Sequence, residues 1–111
     1  MMYMSFVPAG EQRGPHMHRD QTDYFIFAGD GMFDIFLWES GKPDEHRKFC
    51  FGQHNPHLLI VPPGIVHAYR NVAKVMGLVI NLPNRLYKGF DKQEVEDIIR
   101  YEDNPEPLYK F

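Results

Sequence analysis

The sequence predicts an all-β fold on three observations. Short apolar runs rich in aromatic and β-branched residues recur along the chain, clusters of turn residues separate them, and only one stretch has helical periodicity. A length of 111 residues matches one domain, with a core at about 7–82 and a C-terminal tail at about 83–111.

The elements follow in order. Residues 1–7 are apolar and suited to supply a strand to a partner's sheet edge. Residues 22–27 form the first strong strand, Ala28, Gly29, Asp30 and Gly31 close it, and residues 32–38 follow at once. The Gly-Asp-Gly connection makes a hairpin, because these residues tolerate the positive φ angles of tight turns. Residues 39–45 carry Ser40, Gly41, Lys42 and Pro43 and read as a loop, 47–51 as a short strand and 52–56 as a turn. A compact apolar strand at 57–61 is stopped by Pro62, Pro63 and Gly64, and strands at 67–72 and 75–81 complete a barrel or sandwich. In the tail, Asp91 followed by Glu94 has capping-box spacing, and Val95, Ile98 and Ile99 share one face of a short helix ending near Arg100. Asn104, Pro105, Glu106 and Pro107 then force an extended segment that crosses the barrel.

Composition narrows the functional classes. A formal net charge of −3 with scattered Lys and Arg argues against nucleic-acid or acidic-membrane partners, which need a concentrated basic face. The single cysteine, Cys50, stands between Phe49 and Phe51, which predicts a reducing compartment and a buried thiol. Residues 1–10 lack the basic start and long apolar run of a secretory signal, and nowhere do about 18 apolar residues run together. The expectation is a cytoplasmic protein without a membrane partner.

Chemistry concentrates in two segments. In Gly10-Glu11-Gln12-Arg13-Gly14-Pro15-His16-Met17-His18, the two histidines are one residue apart and point to one face of a strand. Asp23 follows beyond a bend and can approach the same point. In the second segment, the rigid turn Pro62-Pro63-Gly64 delivers His67 at the start of a strand. The aromatics Phe25, Phe27, Phe33, Phe36 and Trp38 read mainly as core, with strand alternation turning a few, Phe25 and Phe27 first, into the cavity as substrate contacts. Tyr69 and Arg70 point to opposite faces, so one of these two candidates faces the cavity. His46, His54 and His57 read as surface loop residues.

These segments resemble the two cupin motifs, G-x5-H-x-H-x3,4-E-x6-G and G-x5-P-x-G-x2-H-x3-N. Gly10, His16 and His18 fit the first, Asp23 replaces its glutamate, and Gly29 and Gly31 straddle its final glycine; Pro62, Gly64, His67 and Asn71 fit the second, with Pro56 in place of its leading glycine. The resemblance implies a double-stranded β-helix, or jelly-roll barrel. The chain is further similar to cupins related to dTDP-4-dehydrorhamnose 3,5-epimerase, through Gln21-Thr22-Asp23, the run from Ile60 to His67, that from Leu78 to Arg85, and the ending Arg100-Tyr101-Glu102-Asp103-Asn104-Pro105. That likeness implies a catalytic His16 as base, Asp103 as its orienting acid and Tyr87 as the proton donor on the opposite ring face. Asp23 stands where the epimerases carry a lysine. It also implies a homodimer.

Three readings stay open. One is an enzyme that epimerises or isomerises a small polar substrate, a sugar or sugar nucleotide, without an organic cofactor. Another is a metal-dependent cupin, a dioxygenase or isomerase, in which His16, His18, Asp23 and His67 hold Fe, Mn, Ni, Zn or Cu with open positions for substrate. The last is a module that binds a small carbohydrate or metabolite without chemistry.

Overall fold

A computed structural model describes every residue except Tyr87, Glu94, Val95 and Pro107, and all but the side chain of Phe90. Among the described residues, nine strands build two antiparallel sheets: β1 (Tyr3–Val7), β2 (Gln12–His18), β3 (Asp23–Gly29), β4 (Met32–Glu39), β5 (His46–Gly52), β6 (Leu58–Val61), β7 (Ile65–Asn71), β8 (Gly77–Asn81) and β9 (Ile98–Arg100). One sheet has the order β1-β8-β3-β6 and the other β5-β4-β7-β2-β9. The all-β architecture expected from the sequence is what the chain adopts, and the predicted strands lie where alternation and turn residues put them. The hairpin expected at Gly29-Asp30-Gly31 does not form: that turn carries the chain from β3 in one sheet to β4 in the other, where each pairs with different strands.

The tail differs. Instead of a helix, it forms a 3₁₀ turn at Phe90–Lys92 and strand β9, which pairs with β2 through Met17↔Ile99 and its neighbours. Asp91 and Lys92 have φ of 59° and 57°, which interrupts a right-handed helix at its start. The open edge of β2 offers a backbone ladder, and Ile99 packs beside Met17 on the outer face. Pairing wins over a short isolated helix, which is marginal in water. The expected capping residue Glu94 and helix-face residue Val95 lie outside the described residues.

Apolar residues of β3, β4, β7 and β8 fill the space between the sheets, where Phe25, Phe27, Phe33, Ile35, Tyr69 and Val79 form the inner core. Asn71, fully buried, ties three segments together. Its Nδ2 donates to the carbonyls of Val7 and Val75 at 2.9 and 2.8 Å, and its Oδ1 accepts from the Ala73 N–H at 3.1 Å. The motif asparagine is therefore a clamp for the turn after β7 and for β1.

The outer faces of the two sheets are treated differently. On the larger sheet, Met17, Phe36, Trp38, Val66 and Ala68 are covered by Tyr109, Tyr101 and Phe111 of the tail. Tyr109 is 2% exposed, and its hydroxyl accepts the Gly41 N–H at 2.8 Å. On the smaller sheet the outward positions form cross-strand rows. Met4, Ile80, Ile26 and Leu58 span all four strands, Phe6, Leu78 and Ala28 lie on one side of that row, and Tyr24 with Ile60 lies on the other. Residues 1–7, expected at a partner's sheet edge, instead supply β1 to β8 of their own chain. Cys50 is exposed rather than buried, because its neighbour Phe51 takes the inward phase of β5. Among the described residues, no helix is long and apolar enough to cross a membrane.

Candidate functional site

The histidines gather at one end of the sandwich, in a cavity of about 520 Å³ between the sheets. Strand β2 carries His16 and His18, and its register with β7 shifts between Arg13 and His16. That irregularity lets Arg13, His16 and His18 all line the cavity. Gly14 makes it possible: its φ is 84°, and a Cβ there would stand 2.5 Å from the His67 carbonyl oxygen. His67 enters from β7 opposite His16, with ring centroids 4.4 Å apart in an edge-on arrangement.

Two sub-arrangements share this cavity. In the first, His16 Nδ1 lies 3.4 Å from Glu102 Oε1. A carboxylate only accepts, so Nδ1 carries the proton and Nε2 keeps its lone pair. Burial pushes the Glu102 carboxyl up, but the hydrogen bond and charge of His16, the Gly14 N–H and Arg100 outweigh it, and the net direction is down. The acid expected here was Asp103. That residue is exposed, and the 3₁₀ turn Tyr101–Asp103 presents Glu102 to His16 instead.

In the second, Asp23 Oδ1 accepts from Gln21 Nε2 at 2.7 Å and from Asn81 Nδ2 at 3.2 Å. Its Oδ2 stands 3.2 Å from His18 Nε2 and 3.6 Å from His67 Nε2, without a hydrogen-bond partner of good geometry. His67 Nδ1 donates to the Ile65 carbonyl at 3.1 Å, so its Nε2 is an acceptor, and it too is buried without a partner. Gln21 Nε2, 3.3 Å from His18 Nε2, turns a donor toward that nitrogen as well. Three acceptor atoms thus face one point within 4.8 Å of each other. A proton on His18 or a cation between them relieves that crowding.

The electrostatics agree with this geometry. Burial raises the Asp23 carboxyl, but the neighbouring His18, then His67 and the Gln21 amide, bring it below the usual carboxylate range. Burial and the neighbouring His16 pull His67 down to about 3, so it is neutral near neutral pH. Asp97 supports the loop between β2 and β3, its carboxylate accepting the backbone N–H groups of Asp20 and Gln21 at 3.1 and 2.9 Å. It also lies 3.7 Å from His18 Nδ1.

The expected ligand set His16, His18, Asp23 and His67 therefore divides: the last three converge, while His16 turns to Glu102. Of the substrate candidates, Phe25 and Tyr69 line the cavity. Burial pushes the Tyr69 hydroxyl up to about 12. Phe27 sits deeper, against Phe33, Phe51 and Tyr69 in the core. Arg70 lies on the outer face, 4.9 Å over the Phe111 ring and donating to Gln12 Oε1 at 2.9 Å. Tyr87, the expected acid, lies outside the described residues. Sequence reasoning missed Glu102, Asn81 and the cavity-lining cations Arg13, Lys88 and Arg100. Asn81 was legible, since it shares the inward phase of Val79 on β8; Glu102 was not, because a turn has no alternation.

No family model matches the chain. It is 28% identical over 99 residues to a probable low-salt glycan biosynthesis epimerase, Agl13, of Haloferax volcanii, a match covering 85% of this chain and 63% of that protein. The fold is shared with solved structures. A dTDP sugar isomerase from Desulfovibrio desulfuricans aligns over 100% of this chain and 69% of its own, with a TM-score of 0.81 at 18% identity. The sugar 3,4-ketoisomerase QdtA from Thermoanaerobacterium thermosaccharolyticum, solved with TDP, aligns over 93% of this chain and 67% of its own, with a TM-score of 0.66 at 22% identity. The chain has the fold of these sugar isomerases, and it resembles the cupins of the sugar-nucleotide epimerase and isomerase group.

Proposed function

We propose that the chain binds a keto-sugar, in free or nucleotide-linked form, in this cavity and moves a proton next to the ketone, as an epimerase or isomerase does. The observation that carries the reading is the His16–Glu102 pair, with His16 lining the cavity and its Nε2 left as a base. Proton removal from the carbon beside a carbonyl sends the C–H electron pair to the carbonyl oxygen as an enolate. His16 takes the proton, and Glu102 stabilises the imidazolium through Nδ1–H. Arg13, Lys88 and Arg100 line the same cavity and supply positive charge for the enolate oxygen or for a phosphate. Return of a proton to the other face of the same carbon gives the epimer. Where that carbon bears a hydroxyl, transfer of the hydroxyl proton to the enolate oxygen and protonation of the former carbonyl carbon give the isomer, with the ketone now at the carbon first deprotonated. The likeness to Agl13 and to the dTDP sugar isomerase supports the same reaction kind.

The experiment is solvent-deuterium exchange into a 4-keto-6-deoxy sugar nucleotide, followed by NMR or mass spectrometry. Incorporation at a carbon beside the ketone is the expected result. Binding without incorporation overturns the enzymatic reading and leaves a ligand-binding module.

A second reading rests on a separate observation, the buried and unpartnered Asp23 Oδ2 and His67 Nε2 facing His18 Nε2. Two imidazole nitrogens and a carboxylate oxygen suit a divalent transition metal, which would polarise a bound carbonyl or water. On this reading His18, Asp23 and His67 hold the ion, and His16 stays with Glu102. Elemental analysis of protein purified without chelator decides it. About one equivalent of a transition metal supports the site, and less than about a tenth overturns it.

A further inference from the structure

We propose that Tyr101 and Tyr109 form a clamp that holds the Glu102 carboxylate on His16 and so fixes which ring nitrogen of His16 is left as the base. The clamp deepens the proposed reaction and rests on its reading of His16. Neither tyrosine lines the cavity, so both are positioning residues.

Glu102 does not fix its own place. It sits in a three-residue 3₁₀ turn without a side-chain cap, and its Oε1 lies 3.4 Å from His16 Nδ1, at the long end for a hydrogen bond. Its side chain is 30% exposed, and an ion pair that open to water holds weakly. Such a contact follows the turn that carries it.

The turn is held from two sides. Before it, Arg100 pairs with His16 in the β9–β2 ladder. Within it, the Tyr101 ring stands edge-on to Tyr109, with centroids 4.8 Å apart. Tyr109 is 2% exposed, packs 5.6 Å from the Trp38 ring and accepts the Gly41 N–H at 2.8 Å. The Tyr101 hydroxyl meets the side-chain oxygens of Tyr109 and Ser40. Adjacent residues of one turn thus reach opposite faces of the larger sheet: Tyr101 joins the outer cluster, and Glu102 meets His16.

The loop that receives the clamp is itself tied to the histidines. Ser40 N–H donates to the Gly64 carbonyl at 3.3 Å, and Gly64 N–H donates to the His18 carbonyl at 3.0 Å. The frame that places His18 therefore also places Glu102. The consequence is chemical, because the tautomer of a neutral imidazole is set by the partner of one of its nitrogens. With Glu102 in place, Nδ1 keeps the proton and Nε2 its lone pair. With the turn displaced, Nδ1 loses its acceptor, the proton redistributes to Nε2, and the base is lost.

¹⁵N NMR of the His16 ring reads this tautomer in the ligand-free full chain at about pH 9, above the ordinary imidazole range. Wild type is expected to hold Nδ1–H as the major form. Tyr101→Leu keeps apolar bulk without ring or hydroxyl, and Tyr109→Phe leaves the Gly41 N–H without its acceptor. Each is expected to shift the population at least about 3-fold toward Nε2–H. Each is also expected to lower kcat for deuterium exchange about 5-fold with KM unchanged, but by less than about 2-fold when Glu102→Ala is already present. A wild type in the Nε2–H form overturns the proposal. So does a tautomer that both variants leave unchanged, or a loss of kcat that persists undiminished beside Glu102→Ala. Absence of exchange in wild type overturns the proposed reaction alone, because the tautomer is read without substrate.

Discussion

His16 and His67 are neighbours with opposite surroundings. Their rings lie 4.4 Å apart, yet His16 is partly open to the cavity and hydrogen-bonded to an acid, while His67 is 2% exposed with one ring nitrogen facing a carboxylate oxygen. Openness makes His16 free to exchange a proton with a ligand. Burial makes His67 a neutral part of the frame. On the proposed function, two residues of one type, delivered by adjacent strands, divide into a base and a positioning group because desolvation differs between them.

The strongest way to break this comparison is His16→Ala. Loss of the base is expected to lower deuterium incorporation by about 10³-fold, with the unfolding midpoint nearly unchanged. A large fall in stability with activity retained would reverse the roles. Next, His67→Ala is expected to destabilise the fold by about 2–4 kcal/mol in urea titration. It leaves a cavity and strands the Ile65 carbonyl, which loses its Nδ1–H donor.

Acid provides the third test. His67 is held below its unfolded value of 6.5, to about 3, so the unfolded chain binds a proton that the native chain excludes. Its contribution to stability is present above about pH 6.5 and is lost as pH falls toward 3, amounting to roughly 2 kcal/mol between about pH 7 and about pH 5. Asp23, depressed from 3.8, adds a further loss only below that value. The test is urea midpoints at the two pH values; a His67→Ala variant with the same slope as wild type would remove His67 as its source. The smallest effect is expected of Glu102→Gln, about 10-fold in exchange rate. The amide keeps an acceptor for Nδ1–H but loses the charge that stabilises the imidazolium.

The cavity was legible in outline. The H-x-H spacing and the proline-glycine turn before His67 carry enough information to bring three histidines together, because strand alternation and rigid turns act locally. Alternation gives a period without a phase, however, and phase was lost where both faces are buried. On β7 the run Val66, His67, Ala68, Tyr69 is buried throughout, since the tail covers the outer side, so sequence could not tell whether Tyr69 or Arg70 faced inward. The same gap hid β9. Ile98 and Ile99 suit a short helix as well as a strand, and the edge of β2 decided between them.

By itself, the sequence determined the all-β class, the turn at Gly29-Asp30-Gly31 though not its crossing between sheets, and the convergence of His16, His18 and His67, because alternation and turn residues act within a strand or turn. Tertiary structure alone decided that Glu102 rather than Asp103 meets His16, that His16 stands apart from the group His18, Asp23 and His67, and that one apolar outer face is covered while its counterpart is left open. Those outcomes depend on where a turn in the tail comes to rest against distant strands. That placement is set by burial and edge pairing across the whole fold, which no local pattern encodes.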